Sequence, residues 1–184
     1  LGGGPTVLEI PKCNGASSGI RFDDNGLTMD YASCRAINPT LLSLTHENDR
    51  QQLGRLVSLL QNPNSFYNQA HKAEFRLRLT EFFCVELADE AITFSYQHLV
   101  NIFFALLQTN FAFVKAEPGL ESIHGASCAI FGQPGKTLRF EHTKREVGSS
   151  EVAVTIGNRI LLFYDEKVTV NPQSPANLIH EIGH

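Results

Sequence analysis

An α+β fold is the class this sequence predicts, and three observations carry it. Apolar residues recur at helical spacing from about residue 45 to 110, and the hydrophobic period shortens to two between about 111 and 164. A Ser-Pro start then reopens a helical pattern at the end of the chain. Helices first and strands afterwards imply an antiparallel or mixed sheet rather than alternating βαβ units. The 184 residues include 42% hydrophobic side chains and 13 Phe, which suffices for one sizeable core and argues against intrinsic disorder.

Residues 1-30 read as an irregular, flexible segment, because Gly2-Gly3-Gly4-Pro5, Asn14-Gly15-Ala16-Ser17-Ser18-Gly19 and Asp23-Asp24-Asn25-Gly26 are rich in turn formers. The chain opens on Leu1 rather than Met, so this start is expected to be an internal point of a longer product or a cloning remnant. Residues 31-184 are assigned to the folded domain. From Thr45 the pattern is helical: Leu53, Leu56, Val57 and Leu60 recur at spacings of three and four, Glu47 and Asp49 sit in the first turn, and Asn62-Pro63-Asn64 ends it. A second helix is predicted from about Ser65 to Ala88, apolar through Phe75, Leu79, Phe82, Phe83 and Leu87, with Lys72, Arg76 and Arg78 on a solvated face. A third begins at Ser95, whose hydroxyl can cap it, and continues through Leu107. Phe111 to Glu117, Ser127 to Gly132, Thr137 to Thr143, Glu151 to Ile156 and Arg159 to Tyr164 are predicted strands. The last two flank Gly157-Asn158, a tight hairpin connection.

Composition excludes several classes. A net charge of -4 and a pI near 6.0 argue against an electrostatic grip on nucleic acid or anionic lipid. The most apolar stretch, Leu99 to Val114, is interrupted by Asn101, Gln108, Thr109 and Asn110 and falls short of the ~20 residues of a membrane span. It reads as a buried helix running into a strand. A monomer is expected. Cys13, Cys34, Cys84 and Cys128 are widely spaced, so none resembles a zinc knuckle or a redox pair, and buried free thiols are the expectation.

The end of the chain carries the chemistry. Ser174-Pro175 starts a helix that reads Ala176-Asn177-Leu178-Ile179-His180-Glu181-Ile182-Gly183-His184. At about 100° per residue, a spacing of four places His180 and His184 on one face, one turn apart, where both imidazoles can bind a single Zn²⁺ ion. Glu181, one position along, reaches the metal-bound water rather than the metal and is the candidate catalytic base. With seven His and 13 Glu in the chain, H-E-x-x-H would arise by chance with a frequency of roughly 2% before helical context is required. The spacing therefore points to a zincin-like fold with the active-site helix at the C-terminus, to Zn²⁺ as cofactor and to metalloendopeptidase chemistry.

The strand ending Leu161-Leu162-Phe163-Tyr164-Asp165, the Asn171-Pro172 turn and the Asn177 to His184 motif resemble the short zinc metalloproteases delivered by bacterial type III secretion. The likeness is to the PipA/GtgA/GogA effector family, whose motif reads HEIGH; the stretch Ser33-Cys34-Arg35-Ala36-Ile37-Asn38-Pro39-Thr40, read as helical, is similar to that group too. The match rests mainly on the last twenty-five residues. The resemblance implies a secreted virulence protein that enters the host-cell cytoplasm and cleaves the NF-κB subunits RelA and RelB, suppressing inflammatory signalling. It implies His180 and His184 as ligands and Glu181 as catalytic base. A partner surface built for DNA would suit an acidic protease, with Glu86, Asp89, Glu90, Glu117 and Glu121 as contributors.

One departure follows from the same motif. A catalytic zinc needs a third protein ligand, which in zincins ordinarily follows the second histidine. The sequence ends on His184, so the domain is expected to be incomplete at its C-terminus, or the third ligand lies among His46, His71, His98, His124, His142, Asp165 and Glu166. The alternatives are a catalytically incomplete binding module and a zincin toxin with a different protein substrate.

Overall fold

The structure, a computed structural model, describes residues 6–13, 16–23, 26–31, 40–42, 47–61, 68–88, 93–116, 122–150, 152–164 and 175–183. Its first element group corrects the reading of residues 1-30 as irregular. Strands β1 (Thr6–Cys13), β2 (Ala16–Asp23), β3 (Gly26–Tyr31) and β4 (Thr40–Leu42) form an antiparallel sheet in sequential order. Cys13 pairs with Ala16 and Asp23 with Gly26, so only Asn14-Gly15 and Asp24-Asn25 separate the strands. Asn-Gly between paired strands is among the strongest short-range hairpin signals. The register slips between Ile10 and Cys13, where Pro11 lacks the N–H that a regular ladder uses, and β1 is an edge strand where this is tolerated. The stretch 33–40 meets β4 at Thr40, and residues 32–39 lie outside the described residues.

Helix α1 (Glu47–Gln61) buries Leu53, Leu56 and Val57 of the predicted stripe together with Leu59; the Leu60 side chain lies outside the described residues. The second predicted helix is shorter than the expected 65–88. Helix α2 (Gln69–Phe83) starts at Asn68, whose side chain accepts hydrogen bonds from the Ala70 and His71 N–H groups, and stops at Cys84 in the left-handed region. The chain then turns into β5 (Glu86–Ala88). Phe75, Leu79, Phe82 and Phe83 make the buried stripe of α2. Arg55 on α1 binds Glu74 on α2 through two hydrogen bonds of 2.6 and 2.7 Å, and Arg78 adds a third of 2.6 Å.

Helix α3 (Tyr96–Ala116) is longer than predicted and absorbs the strand expected at Phe111 to Glu117 up to Ala116. Ser95 caps it, its hydroxyl accepting from the His98 N–H at 3.2 Å. Leu99, Ile102, Phe103, Phe104, Ala105, Leu106 and Leu107 are all buried, so between Leu99 and Leu107 α3 is enclosed on every side and contributes heavily to the core. No described helix is long and apolar enough to cross a membrane. Helix α4 (Ile123–Phe131) replaces the strand expected at Ser127 to Gly132.

Three strands come last, as predicted: β6 (Arg139–Lys144), β7 (Ala153–Ile156) and β8 (Arg159–Tyr164). The sheet is mixed, in the order β5-β6-β8-β7, with β5, β6 and β8 parallel and β7 antiparallel at the end of the order. Gly157 turns the β7–β8 hairpin with φ of 61°, a conformation that favours glycine. Phe140, Ile160 and Leu162 join the helical core, whereas Arg139, Glu141 and Arg159 sit at the alternate positions and form ion pairs. Helix α5 (Pro175–Ile182), with Pro at its first position, packs on α3 and β7. The molecule is therefore α+β, with an antiparallel sheet ahead of the helices as well as the mixed sheet behind them.

Candidate functional site

Among the described side chains of α5, Leu178 is fully buried in the core, with Ile182 packed against it a turn later. That anchoring fixes where the other residues of the motif point. His180 is exposed, and Glu181, about 100° around the helix, turns inward and is only 9% exposed. His184 lies outside the described residues.

Glu181 meets Thr155 on β7. The Thr155 hydroxyl lies 2.5 Å from the Glu181 carboxylate Oε2 and 2.8 Å from the Glu181 backbone carbonyl. The carbonyl is one of the last four of the helix, which have no partner inside it, so one hydroxyl both closes the helix end and orients the carboxylate. Thr155 was not among the residues that sequence reasoning singled out. Its signal was positional: on an alternating strand it shares the face of Ala153, which packs against the core.

Beside α5 lies an open cleft of about 440 Å³, lined by Ile130, Phe131, Lys136, Leu138, Gly157 and Ile182. Asn158 ties the neighbouring turn down, donating from its side chain to the Thr137 carbonyl at 2.7 Å and accepting from the Arg139 N–H at 2.8 Å.

Of the upstream residues that could supply a third ligand, the described ones, His71, His98, His124 and His142, lie on α2, α3, α4 and β6. His46, Asp165 and Glu166 lie outside the described residues. His71 is in the first turn of α2. His98 and His142 are buried together against Phe94, with their rings 5.1 Å apart, and are core residues. Of the acidic residues, Glu86 is exposed and 3.6 Å from Arg139, while Asp89, Glu90, Glu117 and Glu121 lie outside the described residues.

A second group of ligand-type side chains was not foreseen. Cys84, His124 and Cys128 place their ligand atoms within 4.8 Å of one another, close enough to hold one metal ion. The same two cysteines form a disulfide, with Cα atoms 5.0 Å apart, which corrects the expectation of buried free thiols at these positions. Cys13 and Cys34 have no described side chains. Among the described residues this is the one group of three or more such side chains.

No protein-family profile, curated protein or solved structure matches the chain.

Proposed function

We propose that this chain is a zinc-dependent metalloendopeptidase with a zincin-like catalytic half, a secreted effector that cleaves host RelA and RelB. The observation that carries the reading is the His180-Glu181 pair of the H-E-x-x-H sequence on helix α5 with its glutamate held by an end strand of the sheet: Glu181 Oε2 is 2.5 Å from the Thr155 hydroxyl of β7. The order of elements supports it, since a mixed sheet with an antiparallel end strand leads through a hairpin into the motif helix.

The two imidazoles of His180, which is exposed on α5, and His184, four positions on in the sequence, are donors of the type zinc takes, and a third protein ligand would complete the set. Zinc held by these two histidines would supply Lewis-acid polarisation of the scissile carbonyl and a lowered pKa for its water. Glu181 takes the proton from the attacking water and returns it to the leaving amine. Thr155 holds the carboxylate in place for both transfers. A substrate in extended conformation adds to β7, which pairs only with β8 among the described strands, and its backbone then runs beside Glu181. An apolar side chain of that substrate suits the cleft lined by Ile130, Leu138 and Ile182.

The test is cleavage of purified RelA by the zinc-supplemented chain. Glu181→Gln lowers the rate about 10²–10⁴-fold with an unchanged circular dichroism spectrum. Equal cleavage by this variant would overturn the mechanism. Cleavage of an unstructured protein such as casein without cleavage of RelA would keep the peptidase and discard the substrate.

A further inference from the structure

We propose that Cys84, Cys128 and His124 form a second metal site, carried by α2 and α4 rather than by α5, that exists only while the Cys84–Cys128 disulfide is reduced. The ion is a thiophilic divalent one of the Zn²⁺ type. His124 and Cys128 are one turn apart on α4, and the Cys128 sulfur is 3.7 and 3.9 Å from the two ring nitrogens of His124. With Zn–S near ~2.3 Å and Zn–N near ~2.0 Å, ligands of a tetrahedral ion lie about 3.5–3.8 Å apart, so the 3.9 Å between the Cys128 sulfur and Nε2 has only a few tenths of an ångström to close. Cys84 enters from the end of α2 across a Cα separation of 5.0 Å.

Three further features point to the same place. His124 Nδ1 lies 2.9 Å from the Phe82 carbonyl, which can only accept, so Nδ1 carries the proton and Nε2 keeps its lone pair for a metal. An N–H to a backbone carbonyl on the far side of the ring is the usual support of a ligating histidine. Cys84 sits at φ 55° and ψ 45°, the left-handed cap position where glycine is the ordinary residue and a side chain costs about 1 kcal/mol. Gly132 makes room: a Cβ there would stand 2.9 Å from Cys84 Cβ and 3.0 Å from the Cys128 carbonyl. All three side chains are half-buried, which admits an ion and a small thiol reagent. Three protein ligands leave the fourth tetrahedral position to water or an incoming group.

The switch between states is thiol–disulfide exchange with a low-molecular-weight disulfide such as glutathione disulfide. One cysteine thiolate attacks it, forming a mixed disulfide and expelling a glutathione thiolate. The other cysteine thiolate then displaces the second glutathione, so two electrons leave the protein, two glutathione thiols form, and the ion is released because no thiolate remains to bind it.

Cobalt titration of the full chain tests this, because thiolate ligation gives a charge-transfer band that the histidines of α5 cannot produce. Phosphine-reduced wild type and Cys13→Ser/Cys34→Ser take up one thiolate-bound Co²⁺, and glutathione disulfide abolishes the band with release of two glutathione per chain. Cys84→Ser and Cys128→Ser reduce the band by at least half, and His124→Ala weakens binding at least about tenfold. Absence of the band in the reduced wild type, its loss in Cys13→Ser/Cys34→Ser or its full retention in Cys84→Ser would overturn the site. So would equal cobalt-thiolate absorption before and after oxidation.

Discussion

Thr155 shows how much of a site one hydroxyl can organise. It reaches both the carboxylate and the carbonyl of Glu181, so removing it frees the Glu181 side chain while leaving the buried anchor Leu178 in place. A hydrogen bond to a charged group contributes about 1.5–3 kcal/mol, which corresponds to a factor of roughly ten or more in rate when it is needed for orientation. Under the proposed peptidase function, Thr155→Val is expected to lower kcat for RelA cleavage about tenfold with KM little changed, and Thr155→Ser to restore it. A purely structural role would instead move stability and leave the Ser and Val variants alike in kcat. At this scale the sequence offers chemistry where it is written as spacing, and of His180, Glu181 and His184 the structure describes the first two, on α5. The sequence did not show that Thr155 meets Glu181 or that Cys84, His124 and Cys128 come together, which follows only once β7, α2 and α4 have packed.

At the scale of elements, the tie between α1 and α4 is the clearest case of one segment completing another. Asp49 is 3% exposed, and its carboxylate accepts from the Ile123 N–H at 2.8 Å and the His124 N–H at 3.3 Å. These are orphan donors of the first turn of α4, and negative charge there also meets the positive end of the helix dipole. Ser122 satisfies a further donor, the Gly125 N–H, at 2.8 Å. Asp49→Ala is expected to cost about 2 kcal/mol, read as a lower urea midpoint with an unchanged slope, and Asp49→Asn to cost less. Asp49 was readable as a first-turn residue of α1; its second task, 74 positions along the chain, was not. The misread helices share a cause. The segment Ser127 to Gly132 is a short apolar run, for which period cannot separate strand from helix. In α3 apolar residues surround the axis, so no stripe marks where the helix stops. The β7–β8 hairpin was legible because Gly157 is a local requirement that packing does not override.

For the molecule as a whole, acid stability is set by carboxylates that sit between arginines. The hydrogen bond from Arg55 holds Glu74 well below the usual carboxylate range, at about 2, with Arg78 acting in the same direction. Arg159 and then Arg139 lower Glu141 likewise. A depressed folded pKa gives stability that is fully present above the ordinary value of about 4.3 and is lost as pH falls through the folded one. The window is therefore from about pH 5 down to about pH 2. Arg55 and Arg78 are 45% and 38% exposed, so solvent screening discounts the effect of Glu74 to about 1 kcal/mol. Urea unfolding at pH 7 and pH 3 should show that difference in the wild type, and Glu74→Gln should remove about 1 kcal/mol of it. The α+β class was legible from the change of period. The antiparallel sheet of β1 to β4 was not, because glycine and asparagine between short strands give the same composition as a flexible tail.

The link between Cys84 and Cys128 also changes what kind of polymer this is. Positions separated by 44 in sequence become covalent neighbours, and the segment between them, which carries β5 and α3, becomes a closed ring with a tail at each end. Closing a loop of that size before folding spares the chain most of the entropy that bringing α2 to α4 would otherwise cost. A single peptide-bond cut anywhere inside the ring leaves both halves attached until the sulfurs are reduced. A bound ion shared by the reduced thiols would close the same ring reversibly.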